Sequence, residues 1–235
     1  MSSHYSEHLT DEGAVPHFLT ATVTKIELLS WRLPGSLISL AGVCLLASGC
    51  SGGPPPLTPP DIDPAAAADM AFELYDTNGD GLLDGEELEA CPAIVGSLST
   101  YDTDSDSVIS RDELANRLQR FVKSRAALYR LSVAVFLDKK PLSGATVRFV
   151  PEPYFEDRIK PATGVTGRTG TAQMAVADED LPENQRNIRA VQCGTYRVEI
   201  THPDIDLPPR YNTETTLGYE SVISDPSVEF QLKSR

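Results

Sequence analysis

The chain has 235 residues and a formal charge of −14. That length accommodates one or two domains. The acidic balance excludes nucleic acid as a partner, because phosphate recognition needs clustered Lys and Arg. It suits a cation binder, and it is unevenly placed: between Asp61 and Leu128 fifteen Asp and Glu stand against five Lys and Arg, which is −10 of the −14. A solvated, self-repelling face explains that charge but not the order of the residues.

The first element, 1–49, reads as a targeting segment. Leu33 to Cys50, LPGSLISLAGVCLLASGC, is apolar and small, with Arg32 just before it and Lys25 further upstream. A basic flank, an apolar core and small residues before a cut make a secretory signal. A helix spanning a bilayer needs about 20 apolar residues, and Pro34 and Gly35 leave fewer. Residues 1–32 fit poorly, with four acids (Glu7, Asp11, Glu12, Glu27) against two bases. A start near Leu28 gives a signal of ordinary length, and a long leader is the alternative. The ending Ala47-Ser48-Gly49-Cys50 resembles the bacterial lipobox, with Ala47 where leucine is usual and Leu46 one place further out. The resemblance implies lipidation of Cys50 and an extracytoplasmic protein anchored to a bacterial membrane, in the periplasm or at the cell surface. An ordinary secretory signal, or an uncleaved anchor with an incidental cysteine, is the alternative. Residues 50–64 form a Pro-rich linker, whose glycines give slack and whose prolines favour extended backbone.

Two carboxylate loops follow, within a helical region over 65–127. DTNGDGLLDGEE (76–87) puts oxygens at alternate positions. A hard cation such as calcium takes six to eight oxygens at about 2.3–2.6 Å, so a short loop must curl around it. Asp76, Asn78 and Asp80 fill positions 1, 3 and 5, Leu82 offers a carbonyl at 7, Asp84 stands at 9 and Glu87 closes at 12. Gly81 at position 6 permits the sharp turn. DTDSDSVISRDE (102–113) repeats the scheme with Asp102, Asp104, Asp106, Val108, Ser110 and Glu113, but Ser107 takes the glycine's place. Both stretches resemble EF-hand loops, which implies Ca2+ as the ligand. Leu83 and Ile109, at position 8, are expected on a short two-strand contact between the loops. Phe72 and Tyr75 precede loop one at helical spacing, Ile94, Leu98 and Tyr101 precede loop two, and Leu114, Leu118, Phe121 and Val122 form an amphipathic stripe beyond it. Only residues 88–101 separate the loops, and Pro92 stops the first exit helix early.

From 128 to 235 the pattern becomes short alternating runs, LSVAVFL, ATVRFV, TAQMAV, TYRVEI and SVEFQL, punctuated by DKKPLSG, GVTGRTG, PENQRN, HPDIDLPP and SDPS. That pattern indicates a β-sandwich or barrel. The stretches 138–152, 165–174, 193–203 and 207–212 resemble the carboxypeptidase-regulatory-like, or transthyretin-like (prealbumin-like), sandwich of many bacterial exported lipoproteins. The expected fold is therefore multi-domain: a disordered signal and linker, a small all-α EF-hand pair, then an all-β sandwich. In that family the module is usually structural or interactive. Relatives that hydrolyse a purine-breakdown product use a histidine-rich site, whereas His202 is the one histidine after the signal. No Ser/His/Asp or Cys/His set is available without it, so the protein is not expected to be an enzyme. Cys91 and Cys193 are two buried thiols or, in an oxidising compartment, a bridge.

The leading expectation is calcium binding by a tethered envelope protein whose sandwich contacts an envelope partner. The second is a glycan- or peptide-binding module with incidental calcium, for which Tyr154, Phe155, Tyr211 and Tyr219 on an exposed face would speak.

Overall fold

The first helix begins where an aspartate can cap it. In the computed structural model, which describes residues 56–235, α1 (Pro64–Tyr75) carries Pro64 in its first turn. The Asp63 carboxylate accepts from the Ala65 and Ala66 amides at 3.0 and 3.2 Å, satisfying donors that no helical carbonyl reaches. Its buried stripe is Ala67, Ala68, Ala71, Phe72 and Tyr75. β1 (Leu82–Leu83) lies within loop one and is followed by α2 (Gly85–Glu89). Pro92 then opens a new one-turn helix, α3 (Pro92–Val95), and α4 (Leu98–Tyr101) leads into loop two. The helical spacing of Ile94, Leu98 and Tyr101 thus spans two single turns broken at Gly96–Ser97. After β2 (Ile109–Ser110) comes α5 (Arg111–Ser124), started by a reciprocal capping box between Ser110 and Glu113. It ends at Arg125, which takes the left-handed conformation with φ +53°.

The remainder is β-rich: β3 (Ser132–Leu137), β4 (Lys140–Pro141), β5 (Thr146–Pro151), β6 (Ala162–Val165), β7 (Thr171–Gln173), β8 (Ala175–Val176), β9 (Gly194–Thr201), β10 (Gly218–Ser221) and β11 (Ser227–Leu232). One sheet runs β10-β9-β5-β6-β8. In the other, β3 pairs in parallel with β11 on one side and antiparallel with β4 and β7 on the other. Alternation puts Val133, Val135, Val147, Phe149, Tyr196, Val198 and Ile200 inside. The run TAQMAV divides at the buried Met174 into β7, which joins β3, and β8, which joins β6 in the other sheet. β4 and the end of β6 lie in stretches read as turns, and β10 was not anticipated. β6 has no apolar signal because it must be thin. A Cβ at Gly164 would meet the Met174 sulfur at 2.8 Å and the Ala172 Cβ at 3.1 Å.

Helices and sheets share one continuous core, so the boundary at 127/128 marks a change from helix to strand across which packing continues. β10 lies against α3, and the Tyr75 ring of α1 meets the Tyr154 ring edge-on at 6.4 Å. The described end of the Pro-rich stretch is pinned as well. Ile62 is buried, and the Gln185 amide donates to the Thr58 carbonyl at 2.8 Å. The segment 1–49 and Cys50 lie outside the described residues. Among the described residues no helix is long and apolar enough to cross a membrane. Cys91 and Cys193 are buried free thiols, and no bridge joins them.

Candidate metal centre

Each loop winds around its first aspartate, because that side chain accepts amides from the turn ahead. Asp76 takes the Gly79 amide at 2.7 Å on one oxygen and the Gly81 amide at 3.0 Å on the other. Asp102 does the same with Ser105 at 2.6 Å and Ser107 at 2.9 Å. The next two ligand positions repeat an Asx turn. Asn78 accepts from Asp80 and Asp80 from Leu82, at 2.8 and 2.9 Å. Asp104 accepts from Asp106 and Asp106 from Val108, at 3.3 and 3.0 Å. The closing glutamates reach back across the loop. Glu87 Oε1 accepts the Thr77 amide and hydroxyl and the Asn78 amide at 2.8, 3.0 and 3.1 Å. Glu113 Oε1 accepts the Thr103 amide and hydroxyl at 2.7 and 2.9 Å, while Oε2 takes the Ser110 amide and hydroxyl. Thr77 and Thr103 had no assigned role. Their signal was the same residue type at position 2 of both loops.

The loops are tied to each other as expected. Leu83 pairs with Ile109 and Leu82 with Ser110 in an antiparallel contact, and Leu83 and Ile109 are fully buried. Asp84 caps α2 and Ser110 caps α5, so each position-9 residue also starts the exit helix. Leu82 and Val108, the carbonyl positions, stand at or just before these strands.

The oxygens fit a hard cation. Asp102, Asp104 and Asp106 each present a carboxylate oxygen, all within 4.8 Å of one another. Oxygens facing each other across an ion at about 2.3–2.6 Å are separated by about that distance. Crowding shows in the electrostatics. Burial first, then the charges of Asp106 and Glu113, push the Asp104 carboxyl above its usual range. Burial also acts upward on Glu113, but the Ser110 and Thr103 hydrogen bonds outweigh it and hold that carboxyl down to about 2. The Asn78 amide is the main cause that lowers Glu87.

The loops differ in backbone cost. Gly79 and Gly81 stand at φ +74° and +84°, and Ser105 and Ser107 follow them into the left-handed region at +66° and +70°. A residue with a Cβ loses about 1–2 kcal/mol there. Ser107→Gly relieves that strain against a smaller gain in unfolded-chain freedom. The expected result is about 0.5–1 kcal/mol more stability by urea denaturation; an equal or lower midpoint would count against the strain.

Residues outside the loops answer the glycan expectation. Tyr154, Phe155, Tyr211 and Tyr219 are all buried rather than displayed on a face; the Tyr154 hydroxyl hydrogen-bonds Thr195 at 2.5 Å, and the Tyr219 hydroxyl donates to the Asp225 carbonyl. Their rings are more useful to the core than to a ligand. His202 follows β9, accepts the Asp204 amide on Nδ1 and directs Nε2 at the Ser143 carbonyl at 2.9 Å, which ties a turn.

Residues 68–92 match the family model described as EF hand. The matched stretch holds most of α1, the whole of loop one and α2; loop two lies beyond it. No curated protein and no solved structure matches the chain. The match implies divalent calcium as the ion of loop one.

Proposed function

We propose that this protein binds two calcium ions through its tandem loops, as a lipid-anchored extracytoplasmic protein of a bacterial envelope. The observation that carries the reading is the repetition in loop two of the main framework of the EF-hand-matched loop: the first aspartate accepting two turn amides, the two Asx turns, and the closing glutamate accepting the amide and hydroxyl of the threonine at position 2. Cys50 is the lipid-bearing residue in this reading, and residues 128–235 form a transthyretin-like sandwich with a structural or interactive role. Catalysis has no place in it, since His202 is engaged in a turn. The burial of the four aromatics removes what favoured a glycan module. Extracellular calcium modules bind at about 10⁻⁴–10⁻³ M, so occupancy follows ambient calcium and the ion is structural. Calorimetric titration of the purified protein is expected to show two sites. Glu87→Gln with Glu113→Gln is expected to abolish both, because each change replaces one oxygen of a bidentate pair by an amide NH2 and removes its negative charge. An absence of heat up to about ten millimolar calcium, an order of magnitude above that range, would overturn the reading.

A further inference from the structure

The tripeptide Tyr-Asp-Thr opens both loops, at 75–77 and 101–103. Its aspartate and threonine have roles within the loop. Its tyrosine faces the other way, into the junction with the sheets, where Tyr75 meets a buried carboxylate directly and Tyr101 lies beneath an arginine that pairs with one.

Tyr75, the last residue of α1, donates its hydroxyl to Glu152 Oε2 at 2.9 Å. Glu152 follows β5 and has no exposure to solvent. Its amide donates to the Thr195 carbonyl at 3.0 Å, which ties it to the neighbouring strand, and the Arg197 Nε lies 3.7 Å from the same carboxylate oxygen. Tyr101, the last residue of α4, is also fully buried. The Arg117 guanidinium of α5 lies over its ring at 5.7 Å and pairs with Glu220 of β10. The Arg117 and Glu220 side chains are only 14% and 3% exposed. Burial, then the Glu220 charge, raises the Tyr101 phenol well above its ordinary range.

We propose that Glu152 and Glu220 are positioning residues for the two calcium loops, each holding the helices that flank one loop so that calcium locks the helical segment onto the sheets rather than opening it. The proposal rests on the calcium reading above and adds how the sites are held. Glu152 fixes the helix entering loop one. Through Arg117, Glu220 fixes the helix leaving loop two and the ring at the end of the helix entering it. A swing of these helices on ion binding would strip both carboxylates of their partners while leaving them buried, which is strongly unfavourable. With the helices held, the ligand oxygens are preorganised and less ordering remains for the ion to impose. By linkage, whatever calcium gains from this arrangement the junction gains from calcium.

The test is calorimetric calcium titration of the full chain, comparing wild type with Tyr75→Phe, Arg117→Met and Phe230→Leu, at a temperature where circular dichroism shows each to be folded. Tyr75→Phe deletes one hydroxyl and Arg117→Met one charge. Phe230→Leu disturbs β11, whose one partner among the described strands is β3, and serves as the control for a general loss of stability. Each junction variant is expected to weaken one site by roughly tenfold, within the usual range of coupling between sites. The control is expected to stay within about twofold, and Arg117→Lys to recover part of the lost affinity. Calcium is expected to leave the fluorescence of a hydrophobic dye unchanged in wild type. Wild-type affinity at both sites in both junction variants, or a calcium-induced rise in dye fluorescence, would overturn the clamp and leave calcium binding standing. No calcium heat in wild type would overturn both.

Discussion

Gly218→Ala is expected to cost at least about 3 kcal/mol, the upper end of the usual penalty for overpacking, although the change adds a single methyl group. A Cβ at this position would lie 2.1 Å from the Ala93 nitrogen and the Pro92 carbonyl carbon. Those are backbone atoms, so no rotamer change can clear the way, and β10 and α3 must move apart. Part of the junction holding Glu220 against Arg117 would move with them. For a chain of this size the loss corresponds to a fall in Tm of about 6–12 °C. Gly167→Ala is the fitting comparison, because a Cβ there meets its nearest neighbour, the Thr171 carbonyl oxygen, at an ordinary 3.7 Å. Thermal melts followed by circular dichroism should separate the two variants clearly. Equal Tm values would mean that α3 does not approach β10 this closely.

The loops were legible because calcium chemistry dictates residue type and spacing locally, over twelve positions. Even the strain at Ser107 could be foreseen, since only glycine enters that backbone region without cost. The four longest strands, β3, β5, β9 and β11, and the run that divides into β7 and β8 were legible from alternation, which needs no knowledge of partners. β6 was not, because its place between β5 and β8 selects small residues such as Ala162 and Gly164, and small residues carry no amphipathic signal. The junction was hidden for a different reason. Glu152 and Glu220 carry no mark in the sequence, because nothing local distinguishes a buried carboxylate from a solvated one. Gly218 and Pro92 are distant in sequence, so their close approach leaves only a glycine that could equally mark a turn. The repeated tyrosine before each loop was in plain view, but helical spacing gave it a sufficient explanation as core. The same holds in reverse for Tyr154 and Phe155: they were candidates for a displayed face, and the fold closes over both rings.

Glu152→Gln is expected to change how stability depends on pH. Burial pushes the Glu152 carboxyl up to about 7, from an ordinary value of 4.5; the Tyr75 hydroxyl, the Arg197 charge and the Cys91 thiol pull it down without cancelling the effect. Between those two values the native state holds a proton that the unfolded chain has released. Stability therefore falls as pH rises through that window and levels off above about 7, a cost of about 3 kcal/mol at one pK unit per 1.36 kcal/mol. Glutamine keeps an oxygen to accept from Tyr75 and cannot ionise. Its advantage over glutamate should grow by about 2–3 kcal/mol between pH 5 and pH 8, read from urea denaturation of both proteins at each pH. Every other ionisable group is common to both proteins and drops out of the difference. Glu113, held down to about 2, loses its contribution only as the pH falls below its unfolded value near 4.5, outside the window. Parallel stability curves for the two proteins from pH 5 to 8 would place the Glu152 carboxylate in water, and with it would go the argument that Tyr75 is held by a carboxylate shut away from solvent.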